Sequence, residues 1–264
     1  MTLRQWRDLQ VRNADVPWHV FDPIAYVDHN YRDIRAEDEE ILHIVRDHFG
    51  GHFRNRDAGR AAGIDVGAGA NLYPALSMLP WCDEITLLEH SSANVRYLES
   101  QVDSYGTNWD QFWNALCEHE AYSFLDLEPR DRFRRVVNVE QGSIFDLSRH
   151  EGQWSVGTMF FVAESMTASH QEFRWGVERF MRTLAPGAPF AAAFMEHSKG
   201  LHVGEHFFPA CDVGESEVRA SLEPFVDDFK VQRLVSTACV RDGYPGMILA
   251  HGWRRNAEAG NPAV

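Results

Sequence analysis

Short apolar runs alternate with longer stretches of helical periodicity from about residue 61 to residue 253. An apolar run of four to eight residues, bounded by polar or turn residues, is typical of a buried strand. Strands separated by helices indicate a mainly parallel, doubly wound α/β sheet, because parallel neighbours need a crossover connection. We predict seven strands, at residues 62–66, 85–88, 136–139, 156–161, 190–194, 230–236 and 247–253.

One helix of this alternation has both ends marked in the sequence. Ser169, followed three residues later by Glu172, forms the pattern of a capping box at the first turn. Pro186 and Gly187 mark the other end, since both residues disfavour helix continuation. Between these ends, apolar residues recur at helical spacing, at Phe173, Val177, Phe180, Met181 and Leu184.

Two segments lie outside the alternation. Residues 1–60 precede the first strand and include an acidic amphipathic stretch at 34–49, which predicts a helix. Residues 103–134 form a long insertion rich in Trp, Phe and Tyr before the third strand. We expect residues 1–60 to form an N-terminal helical lid, and residues 61–264 to form the main domain with its aromatic insertion. Both segments are placed to cover the open end of the sheet.

Charge and composition exclude several classes of function. With 25 Lys and Arg against 39 Asp and Glu, the formal net charge is −14, and no basic stripe is present to bind nucleic acid. No apolar run reaches the ~18 residues of a membrane helix, and we do not expect a signal peptide in the polar N-terminus. The cysteines form no CxxC pair, which favours reduced thiols in a cytoplasmic protein and no metal site: Cys82, Cys117, Cys211 and Cys239.

The first predicted strand runs into a pair of glycines. In Gly63-Ile-Asp65-Val-Gly67-Ala-Gly69, the last two glycines let the backbone turn and approach a ligand that a Cβ would obstruct. Glu89 ends the next strand, where a carboxylate can accept hydrogen bonds from both hydroxyls of a ribose. The pattern predicts a cofactor that contains a nucleoside.

Two cofactor classes share this geometry. A dinucleotide fold would have a third glycine where this chain has Leu72, and it would bring a pyrophosphate to the helix N-terminus, where Asp65 would repel it. S-adenosylmethionine (SAM) has no phosphate, and Asp65 suits its zwitterionic methionine end. The loop therefore favours SAM. A dinucleotide oxidoreductase and a glycine turn without a ligand are the remaining interpretations.

The sequence on both sides of this loop resembles the nicotinamide, phenylethanolamine and indolethylamine N-methyltransferase family. Segment 18–31 is similar to the family's N-terminal lid, with a Phe-x-Pro-x-x-Tyr motif that ends at Tyr26 and a second tyrosine at Tyr31. Segment 64–73 is similar to the family's Ile-Asp-Ile-Gly-Ser-Gly-Pro-Thr-x-Tyr loop. Glu89-His90 and Asn94 stand where the family has an acid–aromatic pair and an asparagine around the adenosine.

The resemblance implies a class I, Rossmann-like methyltransferase that binds SAM and methylates a small-molecule acceptor. It also implies which side chains surround the cofactor. The cofactor-binding candidates are Trp18, Tyr26, Tyr31, Asp65, Gly67, Ala68, Gly69, Asn71, Tyr73, Glu89, His90, Asn94, Ser143, Ile144 and Phe160.

Two departures from the family's pattern bear on the ligands. Ser143 replaces an aspartate that usually holds the adenine amino group, and Asp146 is the alternative partner one turn later. The loop at 199–202 lacks the aromatic residues that the family usually carries on the acceptor side. For that reason neither nicotinamide nor a catecholamine is assigned as the acceptor.

Two glutamates are the candidate catalytic residues. Glu164 and Glu196 follow the fourth and fifth predicted strands, at the sheet edge where open α/β folds bind ligands. A buried carboxylate there can hydrogen-bond an N–H of the acceptor and take up its proton. The two side chains favour methylation at the nitrogen of an amine or N-heterocycle. His197 and His202 are weaker candidates for a base.

Two other functions stay open at this point. O- or C-methylation of a small metabolite would use the same scaffold and the same cofactor. A SAM-binding protein without catalysis would also keep the glycine loop, although a lid, a loop and a ribose carboxylate together favour an enzyme.

Overall fold

The computed structural model describes residues 11–54, 61–234 and 246–256. Seven strands form one sheet in the order β3-β2-β1-β4-β5-β9-β8, and β6 and β7 form a separate hairpin. The bounds are β1 Ala61–Val66, β2 Cys82–Glu89, β3 Val137–Gln141, β4 Val156–Phe160, β5 Pro189–Met195, β6 Leu201–Val203, β7 His206–Phe208, β8 Val226–Leu234 and β9 Met247–Arg254.

The strand directions confirm the predicted fold class. Strands β3, β2, β1, β4 and β5 pair in parallel, whereas β9 is antiparallel to both β5 and β8. This is the mainly parallel, doubly wound seven-stranded sheet that the sequence predicts. The end of the sixth predicted strand, at 235–236, lies outside the described residues.

Helices connect the strands and cover both faces of the sheet. They are α1 Pro23–Asn30, α2 Ala36–Phe53, α3 Tyr73–Met78, α4 Ser92–Asp103, α5 Asp110–Leu116, α6 Glu120–Ser123, α7 Pro129–Val136, α8 His170–Thr183 and α9 Glu215–Leu222. Short 3₁₀ segments occur at Asn13–Asp15, Trp18–Val20, Thr107–Trp109, Ile144–Arg149 and Glu223–Phe225.

Strand β5 shows why the sheet is apolar on both faces. Ala191 and Ala193 pack into the core that contains α2, α3 and α5, while Phe190 and Phe194 pack into the core that contains α8 and α9. All residues of β5 are buried. A strand covered on both faces is a continuous apolar run, which is the pattern that predicted it.

The helix with two marked ends forms nearly as predicted. Helix α8 begins at His170, where the Ser169 hydroxyl accepts a hydrogen bond from the Glu172 N–H at 3.5 Å. The reciprocal half of the capping box is replaced, because Glu172 Oε2 accepts from the Asn13 N–H at 2.8 Å and from the Thr167 hydroxyl at 2.7 Å. The Glu172 carboxylate therefore ties the N-terminal segment to the domain.

The two segments outside the alternation are both helical and packed. The predicted helix at 34–49 is α2, whose apolar face, with Ile41, Val45 and Phe49, is fully buried against the sheet. The insertion contains α5, α6 and α7, and its Trp109 and Tyr122 are buried in the same core. Within residues 11–54, the part that extends over the sheet edge is thus 11–31. A domain boundary near residue 60 stays a prediction.

The β6–β7 hairpin was not predicted. Its strands have three residues each and contain His202 and His206, so they lack an apolar run. Phe208 is the exception, since it is fully buried between Trp18 and Phe21, with ring centroids 5.3 and 5.2 Å away. The hairpin holds the N-terminal segment over the sheet edge.

Candidate active site

The site lies where the strand order reverses. The chain leaves β1 towards β2 and β3 on one side, and β4 continues to β5 on the other, so the loops after β1 and β4 diverge and leave a crevice. A cleft of about 880 Å³ occupies this position. It extends from the glycine loop to the N-terminal segment, and we call it the main cleft.

The glycine loop forms the floor of the main cleft. Gly67 and Gly69 have φ angles of 67° and 62°, the left-handed region that glycine adopts without strain. A Cβ on Gly67 would lie 2.4 Å from Val162 Cγ1, so no larger residue fits there. The N–H groups of Gly67 and Ala68 donate to the Leu88 carbonyl at 2.8 and 3.1 Å, which fixes the loop against the end of β2.

Glu89 holds the same loop from the adjacent strand. Its Oε2 accepts the Gly69 N–H at 2.8 Å and its Oε1 accepts the Ser91 N–H at 2.6 Å. Burial raises the pKa of Glu89, and these hydrogen bonds, together with one from Asn94, counteract the rise. A carboxylate has about four acceptor positions. Since three donors already reach it, Glu89 keeps an acceptor position for a hydroxyl of a ribose.

The main cleft brings together all predicted cofactor residues except Asp65 and Tyr73. Those on its wall are Trp18, Tyr26, Tyr31, Gly67, Ala68, Gly69, Asn71, Glu89, His90, Asn94, Ser143, Ile144 and Phe160. Ser143 caps the Ile144–Arg149 segment by accepting the Phe145 N–H at 3.3 Å, and Asp146, its proposed alternative, does not line the cleft.

Asp65 and Tyr73 lie beneath the wall. Asp65 is 1% exposed and accepts a hydrogen bond from the Thr158 hydroxyl at 2.7 Å, and burial raises its pKa to about 8. The Tyr73 hydroxyl donates to Asp38 at 3.1 Å, away from the main cleft. Both side chains therefore support the loop in this structure, and their contact with a cofactor stays a prediction.

An aromatic series covers the main cleft. Tyr26 and Tyr31 lie edge to face with ring centroids 5.7 Å apart, and Tyr31 also contacts Trp109 of the insertion at 5.5 Å. Trp18 is fixed by its indole N–H to Asn13 at 2.9 Å and by its carbonyl to the Ser91 hydroxyl at 2.7 Å. Such π faces attract a cation when it is desolvated.

Several residues of the main cleft were not predicted. Phe21 belongs to the lid motif but was not among the predicted cofactor residues. Ala70 likewise belongs to the glycine loop at 64–73 but was not among them. The others lie in ordinary apolar or loop sequence that no motif marks: Asn13, Leu88, Gly142, Phe161, Val162, Ser165, Met166 and Leu201. Phe161 is the most unusual, because it has a φ of 60°, a conformation rare for an aromatic residue and frequent at functional sites.

A second, much smaller cleft adjoins the main cleft. The two share Tyr26, Tyr31, Phe161 and Ser165, so these side chains stand between them. The remaining walls of the second cleft are Asn30, Arg35, Asp38, Met195 and Met247.

Neither candidate catalytic glutamate lines a cleft directly. Glu164 is fully buried behind Ser165, and its Oε1 accepts the Ser165 hydroxyl at 3.2 Å and the Met195 N–H at 3.0 Å. Its Oε2 has no hydrogen-bond partner among the described residues, and burial raises its pKa to about 7. Glu196 instead binds Arg233. Glu164 thus adjoins the wall of the second cleft, whereas Glu196 faces β8.

The two histidines named as weaker bases lie outside both clefts. His197 pairs with Asp212 at 2.7 Å, and His202 packs against Phe207 in the hairpin with the two rings tilted by 58°. Among the described residues, no group of three or more His, Cys, Asp or Glu side chains is arranged to hold a metal ion. Within residues 11–54, 61–234 and 246–256, no helix is long and apolar enough to cross a membrane.

Several solved structures with this fold are methyltransferases. A SAM-dependent methyltransferase from Methanosarcina mazei superposes with a TM-score of 0.53 at 16% identity, over 78% of this chain and 98% of that chain. The N-methyltransferase NodS from Bradyrhizobium japonicum WM9, in complex with S-adenosylhomocysteine, gives 0.53 at 11% identity, over 97% and 100%. The CurJ carbon methyltransferase gives 0.55 at 11% identity, over 92% and 62%.

Fold and site together define a class I methyltransferase. Within that class the chain belongs to the NNMT/PNMT/TEMT family, whose model matches residues 11–244. No curated protein matches the sequence. The protein is a methyltransferase, and its cofactor is SAM.

The residues of the main cleft fit this cofactor. Two buried polar atoms of the cleft wall have no hydrogen-bond partner among the described residues, namely Asn71 Nδ2 and Asn94 Oδ1. Polar atoms that are buried without a partner are costly, and a ligand with hydroxyl, amino and carboxylate groups can satisfy them. Glu89 would hold the ribose, and the aromatic series would cover the sulfonium.

Proposed function

We propose that this methyltransferase transfers the methyl group of SAM to the nitrogen of a small amine or N-heterocycle. SAM supplies a methyl group on a sulfonium: the C–S bond breaks with its electron pair going to sulfur, and the nitrogen lone pair forms the new N–C bond. The chain's own part is to position the acceptor, exclude water and receive the proton that the nitrogen then loses.

One observation carries the assignment to nitrogen. The carboxyl group of Glu164 is buried directly behind Ser165, a residue of the wall that the two clefts share, and one of its oxygens has no partner among the described residues. With a pKa raised to about 7, it can take up a proton near neutral pH. A phenolate or carboxylate acceptor would be repelled by the ionised group, whereas a nitrogen with an N–H would be attracted.

The fold does not decide the reacting atom. NodS is an N-methyltransferase and CurJ is a carbon methyltransferase, and both share this fold with the chain at 11% identity. The assignment therefore depends on the side chains around the second cleft. Its enclosure by two tyrosines and Phe161 favours a small molecule over a polymer.

A radiolabelled methyl-transfer screen tests the proposal. Amines, N-heterocycles, phenols and carboxylic acids are offered with SAM, and each product is identified by mass spectrometry and NMR. We expect N-methyl products. We also expect Glu164→Gln to lower turnover at least tenfold while SAM affinity stays nearly constant, because Glu164 does not line the main cleft.

Glu196→Gln is the matched comparison, since Glu196 is also buried at a strand end but pairs with Arg233. We expect a smaller effect on turnover from this variant than from Glu164→Gln. An O-methyl or C-methyl product formed with full activity in both variants would contradict the nitrogen assignment and leave the fold and cofactor intact.

A further inference from the structure

The second cleft contains a carboxyl group that the sequence did not mark. Asp38 lies in the first turn of α2 and is only 2% exposed, yet it lines the second cleft. It does not line the main cleft. A ligand that reaches Asp38 is therefore the acceptor and not the cofactor.

Asp38 has unused hydrogen-bonding capacity on the side of the cleft. The Tyr73 hydroxyl donates to Oδ1 at 3.1 Å. Among the described residues, no side chain or backbone group donates to Oδ2. Since a carboxylate can accept about four hydrogen bonds, a ligand in the second cleft can donate to Oδ2.

Helix stabilisation alone does not account for a buried acid at this position. Glu37 and Glu39 lie in the same first turn and already place negative charge at the positive end of the helix dipole. Burial raises the pKa of Asp38 to about 7, and the Tyr73 hydrogen bond and nearby Arg35 counteract only part of that rise. Burying a carboxyl group costs free energy of desolvation, so a buried carboxyl group beside a cleft is a candidate for ligand binding.

We propose that Asp38 binds the methyl acceptor by accepting a hydrogen bond from an N–H or a protonated nitrogen, and that it selects amines and N–H heterocycles over their oxygen isosteres. The apolar body of the acceptor packs on Met195 and Met247, which line the same cleft. This inference rests on the proposed function, because it concerns the acceptor of that same reaction.

Arg35 does not prevent a cation from binding at Asp38. It also lines the second cleft, but its Nη2 donates to the His29 carbonyl at 2.8 Å, and its side chain is partly exposed. Solvent screens its charge more strongly than it screens that of the buried Asp38. The positive charge of Arg35 lowers the pKa of Asp38, but it offsets only part of the effect of burial.

Fragment binding to the enzyme saturated with S-adenosylhomocysteine tests the inference without turnover. The probes are benzylamine and benzyl alcohol, and then 1,2,3,4-tetrahydroisoquinoline and isochroman, each measured by ligand-observed NMR titration. The variants are Asp38→Asn, Glu39→Gln and Tyr73→Phe. Asparagine keeps an oxygen for Tyr73 but removes the charge, and Glu39 is an exposed acid in the same helical turn.

We expect the nitrogen probes to bind the wild-type complex more tightly than their partners. Asp38→Asn should weaken their binding about tenfold or more, with little change for benzyl alcohol and isochroman and with unchanged affinity for S-adenosylhomocysteine. Glu39→Gln should behave as the wild type. Tyr73→Phe should retain most of the preference for nitrogen, since it leaves the carboxylate in place.

Three outcomes overturn the inference. The first is that no nitrogen probe binds, and the second is that the nitrogen probes bind Asp38→Asn and the wild type equally. The third is that Tyr73→Phe loses the preference for nitrogen over oxygen probes to the same extent as Asp38→Asn. The last would reduce Asp38 to a support for Tyr73. If N-methyl products still form while Asp38→Asn binds the probes normally, the proposed function stands and Asp38 alone is misassigned. An O-methyl or C-methyl product would instead contradict the proposed function.

Discussion

At the scale of single residues, the site depends on backbone positions that tolerate no side chain. Gly67 has a φ of 67°, and the Val162 side chain already occupies the space that a Cβ at this position would need. Two separate penalties therefore oppose any substitution there, conformational strain and steric overlap. The chain contains a position that separates them, because Gly152 has a φ of 68° and a Cβ at that position would meet no atom within 4 Å.

We predict that Gly67→Ala lowers the free energy of unfolding by more than Gly152→Ala does. The strain common to both costs about 1–3 kcal/mol, and only Gly67→Ala adds the overlap with Val162. Urea unfolding followed by circular dichroism measures both, and calorimetry with S-adenosylhomocysteine should show lost affinity for Gly67→Ala alone. Equal destabilisation of the two variants would mean that Val162 moves aside freely.

The residues of the glycine loop were predictable because one continuous segment carries them. Gly67, Gly69 and Glu89 owe their roles to strand ends that the sequence marks. Asp38 was not predictable in this way, since it is one of several acids in an amphipathic stretch and only the packing of α2 decides which acid faces inward. Glu196 shows the converse: its strand end was predicted, but its pairing with Arg233 depends on the neighbouring β8.

At the scale of elements, short polar contacts attach the N-terminal segment to the rest of the protein. Glu172 at the start of α8 accepts the Asn13 N–H, and the Val11 carbonyl accepts the Thr167 hydroxyl at 3.0 Å. These bonds join pieces of chain that are far apart in sequence, so no local pattern predicts them. The parallel strands were predictable because their apolar runs are local, whereas the hairpin with Phe208 depends on a contact with Trp18.

We predict that Glu172→Gln loosens residues 11–31 and weakens binding of S-adenosylhomocysteine about fivefold. The reason is the loss of one charge-assisted hydrogen bond to Asn13, worth about 1 kcal/mol. Hydrogen exchange measures protection of 11–31 with and without the ligand, and we expect the ligand to increase it. Glu178→Gln on the same helix is the control, because Glu178 pairs with Arg182 away from the clefts. Identical protection with and without ligand would show that this segment is a fixed part of the core.

A second prediction at this scale concerns the contact between α2 and β9. His48 is 9% exposed, bonds the Gly252 carbonyl at 3.0 Å, and lies 4.8 Å from the ring of His251. Burial is the main cause that lowers the pKa of His48 to about 3, and it lowers that of His251 to about 4. Since an unfolded histidine has a pKa of about 6.5, the unfolded state binds more protons as the pH falls, and stability is lost from about pH 6.5 downward.

His48→Gln should therefore reduce this acid sensitivity. We expect the stability of the variant relative to the wild type to improve by about 1 kcal/mol for each pH unit between 6.5 and 4.5. Buried carboxyl groups with raised pKa values change the unfolding free energy in the opposite direction as the pH falls. Their contribution is the same in both proteins and cancels in the comparison. His206→Gln, at an exposed position of the hairpin, serves as the control. A constant difference between His48→Gln and wild type across this range would contradict the prediction.

At the scale of the whole molecule, the main cleft is bounded by parts of the chain that are far apart in sequence. Its walls come from the N-terminal segment, the ends of β1, β2 and β4, and the hairpin. A ligand that contacts all of them stabilises the folded state as a unit, since the unfolded chain has no such cleft. We therefore expect the cofactor to link residues 11–31 to the sheet, in addition to its chemical role.

We predict that S-adenosylhomocysteine at about 100 times its dissociation constant stabilises the protein by about 2.7 kcal/mol. For a domain of this size, that corresponds to a rise in the melting temperature of about 5–10 °C. Glu89→Ala should lose about 1.5–3 kcal/mol of binding free energy, because the Glu89 carboxylate holds the loop and would hold the ribose. At the same ligand concentration, most of the rise in melting temperature should therefore disappear. Glu84→Ala is the matched control, an exposed acid on the same strand, and should keep the full shift. If the wild type shows no shift, the main cleft is not the cofactor site; if Glu89→Ala keeps the full shift, the ribose lies elsewhere in the cleft.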